Sequence, residues 1–379
     1  MNPFTLDDLP LLNAVARQIQ FEGSENVFLF GIQHLSFTTA LMFESLIKCG
    51  MDPSHIFLLG KCYSSNPQAV AIIEELGISI SPLSFCFNSH IPFDIQFASY
   101  VKEFFLPHFR KNKDMGRWII LDDGGELIKL ISKYHFNDQV VAIEQTSAGY
   151  HIAKTLNLSF PLINVARANI KMNYESQFIA QTICSKICEE IELHFSTPKQ
   201  VKVLVIGGGP IGKKIYEKLS KYYDIKLFDV IENKSDFSKD QFDDYIPHFD
   251  VIIGSTGNCS LGIEKHHLVK NNALLISASS SDRELDSCEI RKKHPVYHSC
   301  HAKIQGDRFT LLNSGFPINF DKEFTDSPDF QLTRALLLTA IDQAIDAFDL
   351  DHVGILELKN QDLLLASYLK IKQKEPFKI

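Results

Sequence analysis

The sequence predicts an α/β protein of two domains, each a doubly wound, mostly parallel sheet. Three observations carry that expectation. Short apolar runs alternate with helical periodicity along most of the chain, the pattern of parallel strands joined by crossover helices. Several of those runs end abruptly in polar residues, as strands do at the sheet edge where ligands bind. And residues 201–230, VKVLVIGGGPIGKKIYEKLSKYYDIKLFDV, spell a strand, a glycine-rich turn, a helix and a second strand ending in an acid.

In the first domain, residues 1–20 read as a short helix and 27–30 as a strand closing on Gly31 and His34. A helix is expected over 37–49, a strand over 56–59, then a polar turn, KCYSSNPQ. Residues 69–76 are helical and 78–80 a strand. Residues 82–115 are rich in aromatics and fit neither period. Residues 118–121 are a strand running into Asp122-Asp123-Gly124-Gly125-Glu126, followed by a helix. Residues 140–143 are a strand ending at Glu144-Gln145-Thr146-Ser147, 162–165 another, and 174–194 a long helix.

Ser196-Thr197-Pro198 breaks the pattern and is the expected hinge. The first domain is accordingly set at 1–190, with 332–379 returning to it, and the second at 195–330. In the second, Val201 to Ile206 is a β-branched run of the buried parallel kind. Gly207, Gly209 and Gly212 form G-x-G-x-x-G, and Ile211 to Leu219 continues as a lysine-rich amphipathic helix. The first glycine allows a tight turn, the second lets backbone approach a pyrophosphate, and the third lets helix and strand pack closely. Asp229 ends the second strand, seventeen residues after Gly212. There it would bind a ribose diol and repel a 2′-phosphate, so the unit reads as a Rossmann domain for NAD rather than NADP. Strands over 251–253 and 273–277 end in Gly254-Ser255-Thr256-Gly257-Asn258 and Ser279-Ser280-Ser281-Asp282. Residues 309–312 and 318 are short strand pieces, and 332–348 are strongly helical.

The chain of 379 residues carries 22% charged residues and a net charge of −8, which argues against general nucleic-acid affinity. No apolar run approaches the ~18–20 residues that span a bilayer. The start of the chain lacks a signal-peptide pattern, so a cytoplasmic protein without membrane or nucleic-acid partners is expected. Eight scattered cysteines form no C-x-x-C and are expected as reduced thiols. Cys184 and Cys188 share a helix face, and His298, Cys300 and His301 cluster. Neither group has further ligands at hand, so no metal is expected.

Several polar stretches fall in one order. His34-Leu-Ser36-Phe-Thr38 runs on to Gly50; then come Asp122–Glu126, Glu144 to His151, Asn164-Val165 with Lys171 and Glu175, and Gly207–Gly212. Thr256-Gly257-Asn258, the acids 282, 284 and 286, and Asn319 complete the series. Together they resemble the adenosylhomocysteinase family over most of the chain. The resemblance implies bound NAD that takes a hydride from a ribose 3′ carbon. The neighbouring C4′ proton is then acidified, a thiol is expelled, water adds, and the hydride returns. It implies a nucleoside-like thioether as substrate and a homo-oligomer.

Residue by residue, the resemblance assigns chemistry to Lys171, Asp123, His34 and Glu175, and substrate contacts to Ser36, Thr38, Glu144 and Gln145. Cofactor contacts fall to Thr146, Ser147, Ser176, Gly207, Gly209, Pro210, Ile211, Gly212, Asp229, Thr256, Gly257, Asn258 and Asn319. Lys171 is the natural proton acceptor, with Glu175 four residues on to hold it. By spacing alone that couple is a surface i,i+4 pair worth little; the resemblance makes it a site. Asp123, by the same token, is otherwise a turn carboxylate capping the next helix.

The chain also departs from the family. Gln145 stands for the glutamate that holds the ribose, Glu175-Ser176 for Asp-Asn, Ser280 for a histidine, Ala180 for a cysteine, and Thr38 for a glutamate that reads adenine. Phe324-Thr-Asp-Ser-Pro328 replaces M-G-H-P, and KQKEPFKI stands where the family's C-terminal arm would be. These changes spare the redox machinery more than base recognition, so an altered substrate is expected. Two other readings stay open: a net NAD-dependent dehydrogenase of a nucleoside or other secondary alcohol, and a non-catalytic NAD-binding regulator.

Overall fold

A computed structural model describes residues 2–21, 26–112, 116–134, 139–294, 299–320 and 326–374. The strands are β1 (Val27–Gln33), β2 (Ile56–Gly60), β3 (Ser79–Ile80), β4 (Arg117–Asp122), β5 (Val140–Glu144) and β6 (Pro161–Asn164). They continue as β7 (Lys202–Ile206), β8 (Asp224–Phe228), β9 (Val251–Gly254), β10 (Ala273–Ser277), β11 (Ile304–Gln305), β12 (Phe309–Leu311) and β13 (Gly354–Glu357). The chain divides into two compact units: Met1–Cys86, Phe97–Glu175 and Thr325–Ile379 form one, Phe87–Gln96 and Ser176–Phe324 the other.

The first unit holds a seven-stranded sheet in the order β13-β6-β5-β4-β1-β2-β3, with every pairing parallel. Strands β1 and β5 are buried along their whole length, as expected of a sheet covered on both faces. The outermost strand, β13, is invisible to periodicity: its burial is partial, and it is recruited by Asn164 and its neighbours on β6. The unassigned aromatic stretch contains a helix, Phe93–Lys111. Phe97, Val101, Phe105 and Phe109, spaced four apart, are its buried stripe. Pro107 inside that helix masks the helical period. The expected helix over 332–348 is Gln331–Ala347, buried on nearly all sides.

The second unit holds a six-stranded sheet, β11-β12-β10-β9-β7-β8, parallel except for β11 on β12. Alternation sorts its strands between two cores. Val203, Val205, Ile253, Leu274 and Ile276 face one; Leu204, Ile206, Ile252 and Leu275 face the other. The helix Ser176–His194 packs Ala180, Ile183, Cys184, Ile187 and Ile191 into the first of these cores. The boundary therefore falls at 175/176, earlier than the expected 190–195, because the apolar stripe of that helix is buried by the second sheet.

Residues 87–96 also belong to the second unit. Fully buried Arg291 donates from Nε to the Ser89 carbonyl (2.9 Å) and from Nη1 to the Ser314 carbonyl (2.7 Å), and pairs with buried Asp282. Asp282 in turn accepts from the Phe93 amide (3.1 Å). No described helix is long and apolar enough to cross a membrane.

Candidate functional site

The G-x-G-x-x-G turn follows β7 and opens the helix Pro210–Leu219, with Gly209 as N-cap. Each glycine has its own physical reason. Gly207 has φ +111° and lies against Ser255: an added Cβ would meet that residue's backbone at 2.8 Å. At Gly212 a Cβ would fall 1.9 Å from the Gly207 carbonyl oxygen, so only hydrogen fits between helix and turn. Gly209 is different: a Cβ there would meet nothing within 4 Å. That open side lies at a helix N-terminus, where free amides and the helix dipole favour an anion.

Asp229, one residue past β8, accepts from the Gly208 amide (2.6 Å) and the Ile231 amide (2.9 Å), which holds it beside the turn. Glu284, on the segment after β10, accepts from the Thr256 hydroxyl (2.9 Å) and the Gly257 amide (2.5 Å) of the loop after β9, and from the Ser279 hydroxyl. Burial raises the Glu284 carboxyl against those hydrogen bonds. Gly257, at φ +76°, presents an open face. Asn258 donates its amide to Thr256 Oγ1 (2.9 Å), Asn319 is buried, and Ser280 is exposed.

In the first unit the polar residues gather past the C-terminal ends of β1, β2, β4 and β5. Asp123 is their centre. It is ion-paired with buried Lys61, accepts from Gln145 Nε2, and lies 3.4 Å from His34 Nε2. Gln33 Nε2 donates to Gln145 Oε1 (3.4 Å), and His34 Nδ1 meets Ser64 Oγ at 2.5 Å. Burial alone would raise the Asp123 carboxyl, but Lys61, His34 and the hydrogen bond from Gln145 overcome it and hold Asp123 well below the usual carboxylate range. Burial likewise works against the Lys61 ammonium, and Asp123 reverses it, holding the amine charged beyond the ordinary lysine range. Burial lowers His34 to about 4, helped by the Lys61, Arg334 and Lys171 charges and opposed by Asp123.

Lys171 and Glu175 pair at 2.8 Å, each about 12% exposed, and Glu175 also accepts from Thr333 Oγ1. The expected α-helical i,i+4 spacing is replaced by a π-helical turn over Lys171–Glu175, immediately before the helix Ser176–His194. Such turns are uncommon and recur at functional sites. Ser36 and Thr38 sit elsewhere in the same edge. Ser36 caps the helix Phe37–Lys48, and both hydroxyls donate to Asp326. Arg334 Nε donates to Thr38 Oγ1 (3.0 Å) and Nη2 to Ser36 Oγ (3.3 Å). All four residues are buried, so these hydroxyls are already committed within the chain.

Glu144 is fully buried beneath Gly149, and its Oε1 accepts from the Thr146 amide (2.6 Å) and hydroxyl (2.7 Å). It props the loop. Thr146 then caps the helix Ser147–Thr155, whose first residue, Ser147, is exposed. His298, Phe324 and Thr325 lie outside the described residues. Among those described, no group of three or more His, Cys, Asp or Glu side chains could hold a metal. Cys184 is core packing, its thiol pushed up to about 12 by burial.

No family model matches the chain. Uncharacterized protein Rv0104 of Mycobacterium tuberculosis (strain ATCC 25618 / H37Rv) is 34% identical over 388 aligned positions, covering 98% of this chain and 74% of that protein. Uncharacterized protein MT0113 of strain CDC 1551 / Oshkosh matches to the same extent. The chain belongs to the family of these mycobacterial proteins. Among solved structures, a dipicolinate synthase chain of Bacillus halodurans aligns with 84% of this chain and 97% of its own length, at 12% identity and a TM-score of 0.46. NAD+-bound 3-phosphoglycerate dehydrogenase of Entamoeba histolytica aligns with 85% and 95%, at 11% identity and 0.42. Likenesses this distant carry no function across.

Lys61, Ser64, Asp326 and Arg334 are the residues that sequence reasoning missed. Lys61 follows β2 directly, as His34 follows β1 and Asp123 follows β4. The edge rule that singles out the latter two applies equally to the turn KCYSSNPQ. Asp326 and Arg334 have no such signal: their partners, Ser36 and Thr38, are nearly 300 residues away in sequence.

Proposed function

We propose that this chain binds NAD in its second unit and uses it to oxidise a secondary alcohol on a small molecule. The cofactor supplies a hydride acceptor when bound. The observation that carries the reading is the glycine turn, where Gly212 is sealed against Gly207, Asp229 holds the Gly208 amide, and Gly209 opens onto free space. The amides of Gly209, Ile211 and Gly212 would hold the pyrophosphate, since those of Gly207 and Gly208 are spent on Phe228 and Asp229, and Asp229 would take the adenosine ribose. Thr256, Gly257 and Asn258, braced by Glu284, and buried Asn319 would line the rest.

In the first unit, Lys171, paired with Glu175, would take and return the proton of a substrate hydroxyl. Lys61 and Gln145 fix Asp123 as a carboxylate that orients the substrate and His34. The finer form of the proposal is the adenosylhomocysteinase-type cycle on a thioether nucleoside, with altered specificity. Ser36 and Thr38 spend their hydroxyls on Asp326 and Arg334, so they are poor readers of a nucleobase. A homo-oligomer belongs to this reading.

One observation favours the second reading, a net dehydrogenase. An acid held as firmly ionised as Asp123 is a weak base, and both ring nitrogens of His34 are engaged, with Asp123 and Ser64. The oxidation step is thus better equipped than the abstraction of a C4′ proton. Native mass spectrometry of freshly purified protein tests the cofactor: retained NAD is expected, and protein that neither retains nor binds NAD refutes the proposal. Mixed with nucleosides and thioether nucleosides, the cycle releases thiol without accumulating NADH, whereas the net reaction accumulates NADH. Lys171→Ala should abolish single-turnover reduction of NAD; an unaltered rate removes Lys171 from the chemistry.

A further inference from the structure

The last residues of β4 and β5, Asp122 and Glu144, are register partners in the parallel sheet. Register partners on neighbouring parallel strands point to the same face, about 5 Å apart at their backbones. Both side chains are fully buried. Each satisfies one oxygen with backbone. Asp122 Oδ2 accepts from the Ile128 amide (2.8 Å) at the start of the helix Glu126–Ile131. Glu144 Oε1 accepts from the Thr146 amide and hydroxyl and from the Gly124 amide (3.3 Å). The other oxygen of each, Asp122 Oδ1 and Glu144 Oε2, is buried and has no hydrogen-bond partner among the described residues.

Nor does a spare cation among the described residues neutralise them. Of the charged groups that act on the couple, Lys61 is committed to Asp123, and Asp123 and Glu126 are themselves acids. The backbone of Gly149 closes the space above: a Cβ there would lie 2.2 Å from Glu144 Oε2. Two ionised carboxylates side by side in such a place would be desolvated and mutually repelling.

We propose that Asp122 and Glu144 share one proton between their unpartnered oxygens, as a carboxylic acid hydrogen-bonded to a carboxylate, and so position the loops that carry Asp123 and Gln145. One proton satisfies both orphan oxygens, the donor on one residue and the acceptor on the other. Burial pushes both groups up, Asp122 to about 7 and Glu144 well above its ordinary range, in the direction the geometry requires. The shared proton ties the Gly124 turn and the helix start at Ile128 to the Thr146 cap. Asp122 and Glu144 are positioning residues, acting through Asp123 and Gln145 whatever the reaction.

Infrared spectroscopy in light and heavy water tests this. With isotope labels on aspartate and, in a second sample, on glutamate, the unaltered protein at about pH 6 should show in one of the two a protonated carboxyl band that shifts in heavy water, at a pH where ordinary aspartates and glutamates are ionised. Glu144→Gln keeps a donor facing Asp122, so it should fold, leave Asp122 as a carboxylate and remove the band. Asp122→Asn should remove the band. Both variants should also flatten the loss of stability between about pH 4 and 7 that a buried, proton-holding acid imposes. Spectra of the unaltered protein labelled at aspartate and at glutamate that show no protonated band at about pH 6 in either overturn the proposal. So does a band that survives unchanged in either variant that folds.

Discussion

Replacing Gly209 and Gly212 by alanine, one at a time, separates what the glycine turn does for the fold from what it does for a ligand. At Gly212 the new Cβ would sit 1.9 Å from the Gly207 carbonyl oxygen and 2.4 Å from Ser255 Oγ. Ordinary contact begins near 3.4 Å, so turn and helix must separate by more than an ångström. Overpacking of that order costs roughly 1–3 kcal/mol. For a unit of this size that lowers the melting temperature by about 2–4 °C per kcal/mol. Gly209 has φ −68° and ψ 178°, a conformation open to any residue, and free space around its Cβ. There the weaker capping by alanine costs up to about 1 kcal/mol. The stiffer unfolded chain returns about 0.4–1 kcal/mol. The two terms nearly cancel, so Gly209→Ala should melt with the parent. It should nevertheless bind NAD at least tenfold more weakly, about 1.4 kcal/mol, because its methyl occupies the space the pyrophosphate needs. Thermal melts with calorimetric NAD titration read both quantities. If Gly209→Ala binds NAD as the parent does, the turn does not take the pyrophosphate and the cofactor proposal fails at its root.

Three further outcomes follow from the same geometry. Asp229→Ala should erode the preference for NAD over NADP and loosen the Gly208 amide it holds; identical titrations of both cofactors against parent and variant would take Asp229 out of the ribose site. Lys61→Met leaves Asp123 buried without its cation, which should destabilise the chain by about 3–5 kcal/mol in urea unfolding. The double variant with Asp123→Asn should recover part of that, and a Lys61→Met protein as stable as the parent would refute the assigned pair. His34 is held neutral, so it binds its proton less readily folded than unfolded. Stability should therefore fall as pH drops from about 6.5 toward 4, by at most about 3 kcal/mol from this residue. His34→Asn should shed that slope, and an unchanged profile would show that His34 titrates normally.

The reach of local information explains which residues the sequence disclosed. The β7 turn was legible because its reasons are local: a tight turn, an anion approach and a close helix crossing each demand glycine within six residues. The strands were legible for a similar reason, since burial on both faces leaves unbroken β-branched runs, and all but the short β11 and the half-buried β13 stood out. His34 and Asp123 were found because each follows its strand directly. What escaped depends on distant partners. The helix Ser176–His194 carries one apolar stripe, and nothing within it says which of two sheets will bury it.

By itself, then, the amino-acid order settled a chain of two parallel α/β sheets, the glycine turn with its acid, and the strand ends where polar chemistry gathers. Periodicity and backbone sterics are properties of a few successive residues, and they survive without knowledge of the fold. The tertiary structure alone decided what each acid is. Asp123 is a paired carboxylate because Lys61 lies against it, and Glu144 is a buried prop because β5 sets it beside Asp122. Charge state depends on solvent exclusion and on the nearest opposite charge, and both come from parts of the chain that meet only on folding.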